Sequence, residues 1–442
     1  MHRLARASRA RVPGMNVRIC LLAAAQLLAL ALHASPPAEL AAVYAETLRP
    51  YAGPVVRGVD ASTLTGRVMC GYQGWFNAEG DGANRGYHHW AKGSARPAPG
   101  NLTVEMWPDL SEFAAEERFP TDLKHADGRT AEVFSSARKP TVLRHFEWMR
   151  EYGIDGVFVQ RFAGPLRDSR YLRANNVVLD HCREGANRSG RAYAVMYDLS
   201  GLGPGRVAGV AADWNELRTK MRITEDAAYL RHRGKPLVAI WGVGFNDDRR
   251  YTVAECRELV ELLKKDGCSV MLGVPTGWRE LHRDAVKDPA LHDVLKLADV
   301  VSPWTVGRYR TPAEAARHGA KVVEPDIAWC RENGPDYMPV AFPGFSWANL
   351  KRDASNAIPR LKGEFLWSQF VAAKKAGAAS LYVAMFDEVD EGTAIFKCTN
   401  DVPVSPQDQF ATFEGLPSDF YLKLTGRGAR LLRGEIPIDS GQ

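Results

Sequence analysis

Apolar and polar positions alternate along this chain in a repeating rhythm. From Gly66 onward, a short apolar run rich in β-branched and aromatic residues gives way to a polar loop and then to apolar residues at helical spacing. The runs 67–76, 154–162, 191–201, 235–245, 269–278, 299–309, 336–347 and 379–392 predict eight strands. Between them, segments such as "TVLRHFEWMREYG" and "TVAECRELVELLKKDG" carry one apolar face and stop at glycine, as helices do.

The strand runs are almost continuously apolar instead of alternating. A strand of that kind is covered on both faces, the condition of a parallel sheet wrapped by helices. Eight such units in succession predict a single-domain α/β fold, a closed (β/α)₈ TIM barrel. The rival is a doubly wound open sheet, whose first strand runs into a Gly-rich turn and a helix. Here "GYQGWF" is followed by a long irregular insert, 77–139, which favours the barrel. The expected organisation is a leader over 1–34, a lead-in over 35–66, and the barrel over 67–434.

Composition narrows the function classes. A net charge of +5 on 442 residues, without a Lys/Arg run, gives no footprint for nucleic acid. Arg3, Arg6, Arg9, Arg11 and Arg18 precede the apolar stretch "ICLLAAAQLLALALHA" and then "SPP", the layout of a secretory signal peptide. The expectation is a secreted or periplasmic protein with no membrane segment after cleavage. The six later cysteines lack metal-ligand spacing. Cys256 and Cys268 sit near opposite ends of one predicted helix, about 18 Å apart at 1.5 Å per residue, too far to pair. Buried thiols are expected.

In a (β/α)₈ barrel, chemistry gathers at the C-terminal strand ends. Read in order, these ends present Tyr72, Gln73 and Trp75; Gln160 and Arg161; Tyr197 and Asp198; Trp241; Trp278; Trp304; Trp347; and finally Glu388 and Glu391. Indole faces accept the C–H faces of sugar rings, and polar ends hold the hydroxyls. Tyr72, Trp75, Arg161, Tyr197, Asp198, Trp241, Trp278, Trp304 and Trp347 are therefore candidate carbohydrate-binding residues.

The last strand ends in "FDEVDEGT", where Glu388 and Glu391 stand three residues apart. Glycoside hydrolysis commonly uses two carboxyl groups, one holding a proton and one ionised. Crowding makes the two titrate apart, because the first charge opposes the second. In this reading Asp387 and Asp390 point elsewhere, to solvent or to a supporting donor. A solvated acidic loop and a calcium site built from Asp387, Asp390 and Glu391 remain alternatives. "YHHW", 87–90, is a lone histidine pair in the insert, with separate structural or surface roles expected for His88 and His89.

The line Glu388-Val389-Asp390-Glu391-Gly392-Thr393 resembles the Glu-Trp-His-Glu-Gly-Thr motif of glycoside hydrolase family 99 and its family 71 relatives. "GYQGWF" and the eight-unit layout are similar to those proteins too, over about 66–430. The resemblance implies a retaining glycosidase without metal or organic cofactor. It further implies that Glu388 is a base acting on the sugar's own 2-hydroxyl and Glu391 the general acid/base, with a 1,2-anhydro sugar as intermediate. Val389 and Asp390 replace the motif's Trp and His, so the implication covers the reaction class and not the α-mannan substrate. A non-catalytic carbohydrate-binding protein of the same fold stays open beside it. The 77–139 insert is expected to cover part of the cleft.

Overall fold

The computed structural model describes residues 37–438. The leader expected over 1–34 lies outside the described residues. Helix α1, Ala38–Thr47, and an extended segment lead into β1, Val68–Tyr72. The chain then alternates: α2 Lys139–Tyr152, β2 Gly156–Phe162, α3 Ser169–Ser189, β3 Ala192–Asp198, α4 Ala208–Glu216, β4 Lys235–Trp241, α5 Val253–Lys265 and β5 Ser269–Pro275. It continues with α6 Ala290–Leu297, β6 Val300–Trp304, α7 Pro312–His318, α8 Glu324–Asn333, and β7 in two pieces, Asp336–Tyr337 and Val340–Ala341. Helix α9, Glu364–Lys375, β8, Leu381–Val383, and α10, Phe420–Arg433, complete it.

Local signals set the helix ends. Asp168 accepts the amides of Arg170 and Tyr171 at the start of α3, and Gly190 closes that helix with φ 61°. The segment before α10 carries Gly415 and Pro417, and the helix starts only at Phe420.

All eight barrel strands are parallel. β1 pairs with β2 and β8, and the ladder continues through β3, β4 and β5 to β6. β7 closes the circle: its first piece pairs with β6 and its second with β8. The fold is the expected TIM-barrel α/β architecture.

Register decides which side chains face the barrel axis. Phe162 lies beside Asp198, Asp198 beside Trp241, Trp241 beside Gly273, and Gly273 beside Ser302. Side chains at matched positions of a parallel sheet share a face, so this row crowns the inner rim at the C-terminal end. Gly273 makes room in it, since a Cβ there would stand 2.4 Å from the Trp241 ring.

The insert 77–139 is not shapeless. It holds an antiparallel hairpin, Phe119–Lys124 with Thr130–Val133, and buries Trp90, Val104, Met106 and Phe134 in the core. Cys70, Cys182, Cys256, Cys268, Cys330 and Cys398 are free, buried thiols. Among the described residues no helix is long and apolar enough to cross a membrane.

Candidate active site

A cleft of about 870 Å³ opens at the C-terminal strand ends. Its walls include Trp75 after β1, Gln160 and Phe162 of β2, Asp198 of β3, Trp241 and Phe245 at β4, and Trp304 of β6. Trp347, from the hairpin that follows β7, and Glu388 and Glu391, from the loop after β8, complete the central part. The volume suits an oligosaccharide-sized ligand.

The loop after β8 sorts its four carboxylates. Asp387 accepts the backbone amides of Gln73 (2.8 Å) and Gly74 (2.8 Å), tying the β8 loop to the end of β1. Asp390 turns to the insert, where its Oδ2 lies 2.8 Å from His89 Nδ1. Both aspartates are fully or almost fully buried, so neither meets solvent. A calcium site does not fit, because both Asp387 oxygens are already taken by amides. Among the described residues no group of three or more His, Cys, Asp or Glu is arranged to hold a metal ion.

Glu388 and Glu391 both reach the cleft. Gln73 Nε2 donates to Glu388 Oε1 (2.5 Å) and the Thr393 hydroxyl to Glu388 Oε2 (2.6 Å). Gly392, with φ +65°, turns the chain directly after Glu391, and a Cβ there would press on Ser346. Ser346 in turn donates its amide to the Glu391 carbonyl (2.9 Å), which joins the β7 and β8 loops.

Proton affinity follows from burial. Burial pushes Glu388 well above the usual carboxylate range, reinforced by the charges of Glu391 and then Asp390. Glu391 is pushed up to about 7, by burial and then by Asp390; the Trp347 indole and Lys351 pull the other way. Asp387 is raised to about 7 and Asp390 well above its ordinary value, each chiefly by burial. Burial also drives His89 down to about 3, so its contact with Asp390 is a hydrogen bond and not an ion pair. Glu388 and Glu391 titrate as a coupled pair. The two donors on Glu388, Thr393 and Gln73, favour its ionised form and oppose that rise.

Four candidate binding residues lie outside the cleft. Tyr72 is buried against α2 and bonds His145 Nδ1 (2.9 Å). Arg161 makes a bidentate pair with Asp213 (2.6 Å and 2.6 Å), and the Tyr197 hydroxyl donates to the same carboxylate (2.6 Å). The cause is the period of two along a strand. Gln160 and Phe162 face the axis, so Arg161 faces the helices, and Asp198 likewise excludes Tyr197. Trp278 lies three residues beyond β5, where it donates to Asp326 (3.1 Å) and packs edge-on against Trp329 of α8.

Several supporting residues were not singled out by sequence. His89 stacks flat on Trp75, with ring centroids 3.8 Å apart and planes 4° from parallel. The pair His88–His89 thus divides as expected, but His89 stands directly beneath a wall of the cleft. Glu105, fully buried, accepts from the Ser346 hydroxyl and from the amides of Asn349 and Leu350, steadying the segment that carries Trp347. Arg360 donates to the carbonyls of Gly392 (2.8 Å) and Ala394 (2.7 Å). The insert contributes no side chain to the cleft wall; it braces the catalytic-end loops from behind instead of covering them. Only the chain-distant pairing of polar residues with the "DEVDEG" loop could have marked these positions, and one sequence does not display it.

No protein-family model matches this chain, and no curated protein does. Its fold is that of the GH99 endo-alpha-mannosidase from Bacteroides thetaiotaomicron, with a TM-score of 0.61 and 15% identity over 84% of this chain and 99% of that one. The same enzyme in complex with bis-tris propane aligns with a TM-score of 0.61 at 16% identity, over 84% of this chain and 99% of that one. A glycoside hydrolase-like protein aligns with a TM-score of 0.50 at 14% identity, over 87% of this chain and 98% of that one. At these identities the likeness is one of fold.

Proposed function

We propose that this protein is an exported glycoside hydrolase that cleaves O-glycosidic bonds of a poly- or oligosaccharide with Glu388 and Glu391. One observation carries the reading. Of four acidic side chains in a single loop, the two glutamates enter an aromatic cleft while the two aspartates turn away to hold backbone and His89.

The hydrogen bonding suits a division of roles. Glu388, with donors on both oxygens, acts as the base that removes the proton of the sugar 2-hydroxyl. That oxygen attacks the anomeric carbon as Glu391 gives its proton to the departing glycosidic oxygen, forming a 1,2-anhydro sugar. A water then opens the ring at the anomeric carbon. Glu391 takes the water's proton and Glu388 returns its proton to the sugar oxygen, which regenerates both groups with the anomeric configuration retained. Trp75, Trp241, Trp304 and Trp347 supply the stacking faces, and Asp198 and Gln160 supply hydroxyl partners. The β-strand and loop positions of these groups support the same reading as the glycoside hydrolase fold.

Turnover of aryl glycosides and a polysaccharide panel tests the proposal with wild type, Glu388→Gln and Glu391→Gln. Cleavage by wild type, lost in both variants while sugar binding persists, is the expected result. Sugar binding without wild-type cleavage would make the protein a carbohydrate-binding relative. Unchanged cleavage in either variant removes that residue from the mechanism. Export rests on the leader sequence, and N-terminal sequencing of the mature protein beginning near Ser35 is its check.

A further inference from the structure

The cleft holds more cations than a neutral sugar requires. Two of them are neutralised at home: Arg249 pairs with Asp247 (2.7 Å) and Arg308 with Asp284 (2.8 Å). Two others are not. Arg310 donates to Asn356 Oδ1 (2.9 Å), and among the described residues neither it nor Lys351 forms an ion pair with a carboxylate. Both are exposed, both line the cleft, and both stand on one wall, made by the loops after β6 and β7. The Lys351 ammonium stands over the Trp347 ring, 6.0 Å from its centre, at the mouth of the same cleft.

The rest of the cleft contrasts with this wall. Asp198, Glu388 and Glu391 lie on β3 and the β8 loop, without a Lys or Arg ion pair among the described residues. Carboxylates and amides suffice to hold neutral hydroxyls. Unpaired ammonium and guanidinium groups find their best partner in an anion, through charge-assisted hydrogen bonds.

On the carbohydrate reading given above, the geometry points to an acidic glycan as substrate, with a carboxylate or sulfate on the ring at Trp347 held by Lys351 and Arg310. Net protein charge plays no part in this; the selectivity is local to one wall. Lys351 additionally faces Glu391, whose ionised form it favours, so the bound anion also relieves that influence.

Calorimetry with the full chain carrying Glu391→Gln separates binding from turnover. The probes are matched pairs: oligogalacturonates against their carboxyl-reduced forms, and sulfated against desulfated galactan oligosaccharides. The charged member of one pair binds about tenfold more tightly, the scale of one charge-assisted hydrogen bond, and the gap narrows as salt is added. The pair that responds distinguishes carboxylate from sulfate. Adding Lys351→Gln removes most of the gap, and Arg310→Gln removes a smaller part; unchanged unfolding temperatures verify that both variants fold. Equal binding within both pairs, or a preference that survives both substitutions, overturns the inference. Binding or cleavage of neutral glycans alone overturns it too and leaves the hydrolase reading intact. Failure to bind or cleave any carbohydrate removes both.

Discussion

The two ends of the barrel treat buried carboxylates in opposite ways. At the N-terminal end, Asp155 accepts the Val68 amide (2.8 Å) and meets Arg433 (3.3 Å), while Asp299 meets Lys264 (2.6 Å) and the Val270 amide (2.8 Å). Asp336, half exposed, is shared by His232 (2.8 Å) and Arg233 (2.9 Å). At the C-terminal end, Asp387, Glu388 and Asp390 are at least as deeply placed and Glu391 is half-buried, yet among the described residues none has a Lys or Arg ion pair. A guanidinium beside an acid favours its ionised form, opposing the burial that raises Asp155, and fastens strands together. One without a cation must keep its proton or share it, which makes it available for chemistry.

The widest separation between the ends is in rate. Glu388→Gln or Glu391→Gln lowers kcat by about 10²–10⁴-fold, the usual weight of general acid–base catalysis. Asp155→Asn, by contrast, leaves kcat at the wild-type level; a large loss there would mean that the two ends are not distinct in role.

Stability reverses the order. Asp155→Ala leaves the buried Val68 amide without its acceptor and costs about 2 kcal/mol in chemical unfolding, while Arg433 keeps its pair with Glu435. Glu391→Gln at pH 8 costs nothing or is stabilising by about 1 kcal/mol, since it removes a buried charge without a partner.

Acidity gives a subtler contrast. Asp387 and Glu391 hold protons up to about 7, and Asp198 up to about 6, against roughly 4 in the unfolded chain. Between these values the folded state binds more protons than the unfolded one, so stability falls as pH rises. The contribution is complete below about pH 4 and lost through pH 6–7, roughly 3–4 kcal/mol per group. Thermal unfolding from pH 5 to 8 reads this slope, and Glu391→Gln flattens it. Over the same interval, hydrolysis loses its acid form of Glu391 and declines above pH 7.

The smallest effect concerns the support of Trp75. His89→Ala frees the indole from its stacking partner and raises KM about threefold, with kcat changed less, on the scale of one aromatic contact. An unaltered KM would show that neighbouring Phe162 alone, 5.3 Å away, suffices to hold the ring.

All eight strands were legible in the sequence because each lies in an almost continuously apolar run between punctuating loops, even β7, which the structure divides in two. The glutamate pair was legible for a related reason: four acids directly after such a run are conspicuous. Trp75, Trp241, Trp304 and Trp347 line the cleft, but Tyr72, Arg161, Tyr197 and Trp278 do not. One residue of phase separates Arg161 from Gln160, and naming a strand end does not supply that phase. Nor could local pattern reveal Glu105 or His89, whose partners Ser346 and Asp390 lie 241 and 301 residues away in sequence. Such contacts follow from the closed barrel, which brings its first loops against its last.

Just past the second piece of β7, the Gln369 amide accepts the Phe342 N–H (3.0 Å) and donates to the Phe342 carbonyl (2.8 Å). One helical side chain thereby stands in for a missing stretch of strand, satisfying both backbone groups just as the chain departs towards Trp347 and Lys351. That wall hangs from a side-chain hinge instead of a continuous ladder, so its length and charge can be rewritten by insertion or substitution while every strand of the barrel keeps its neighbours.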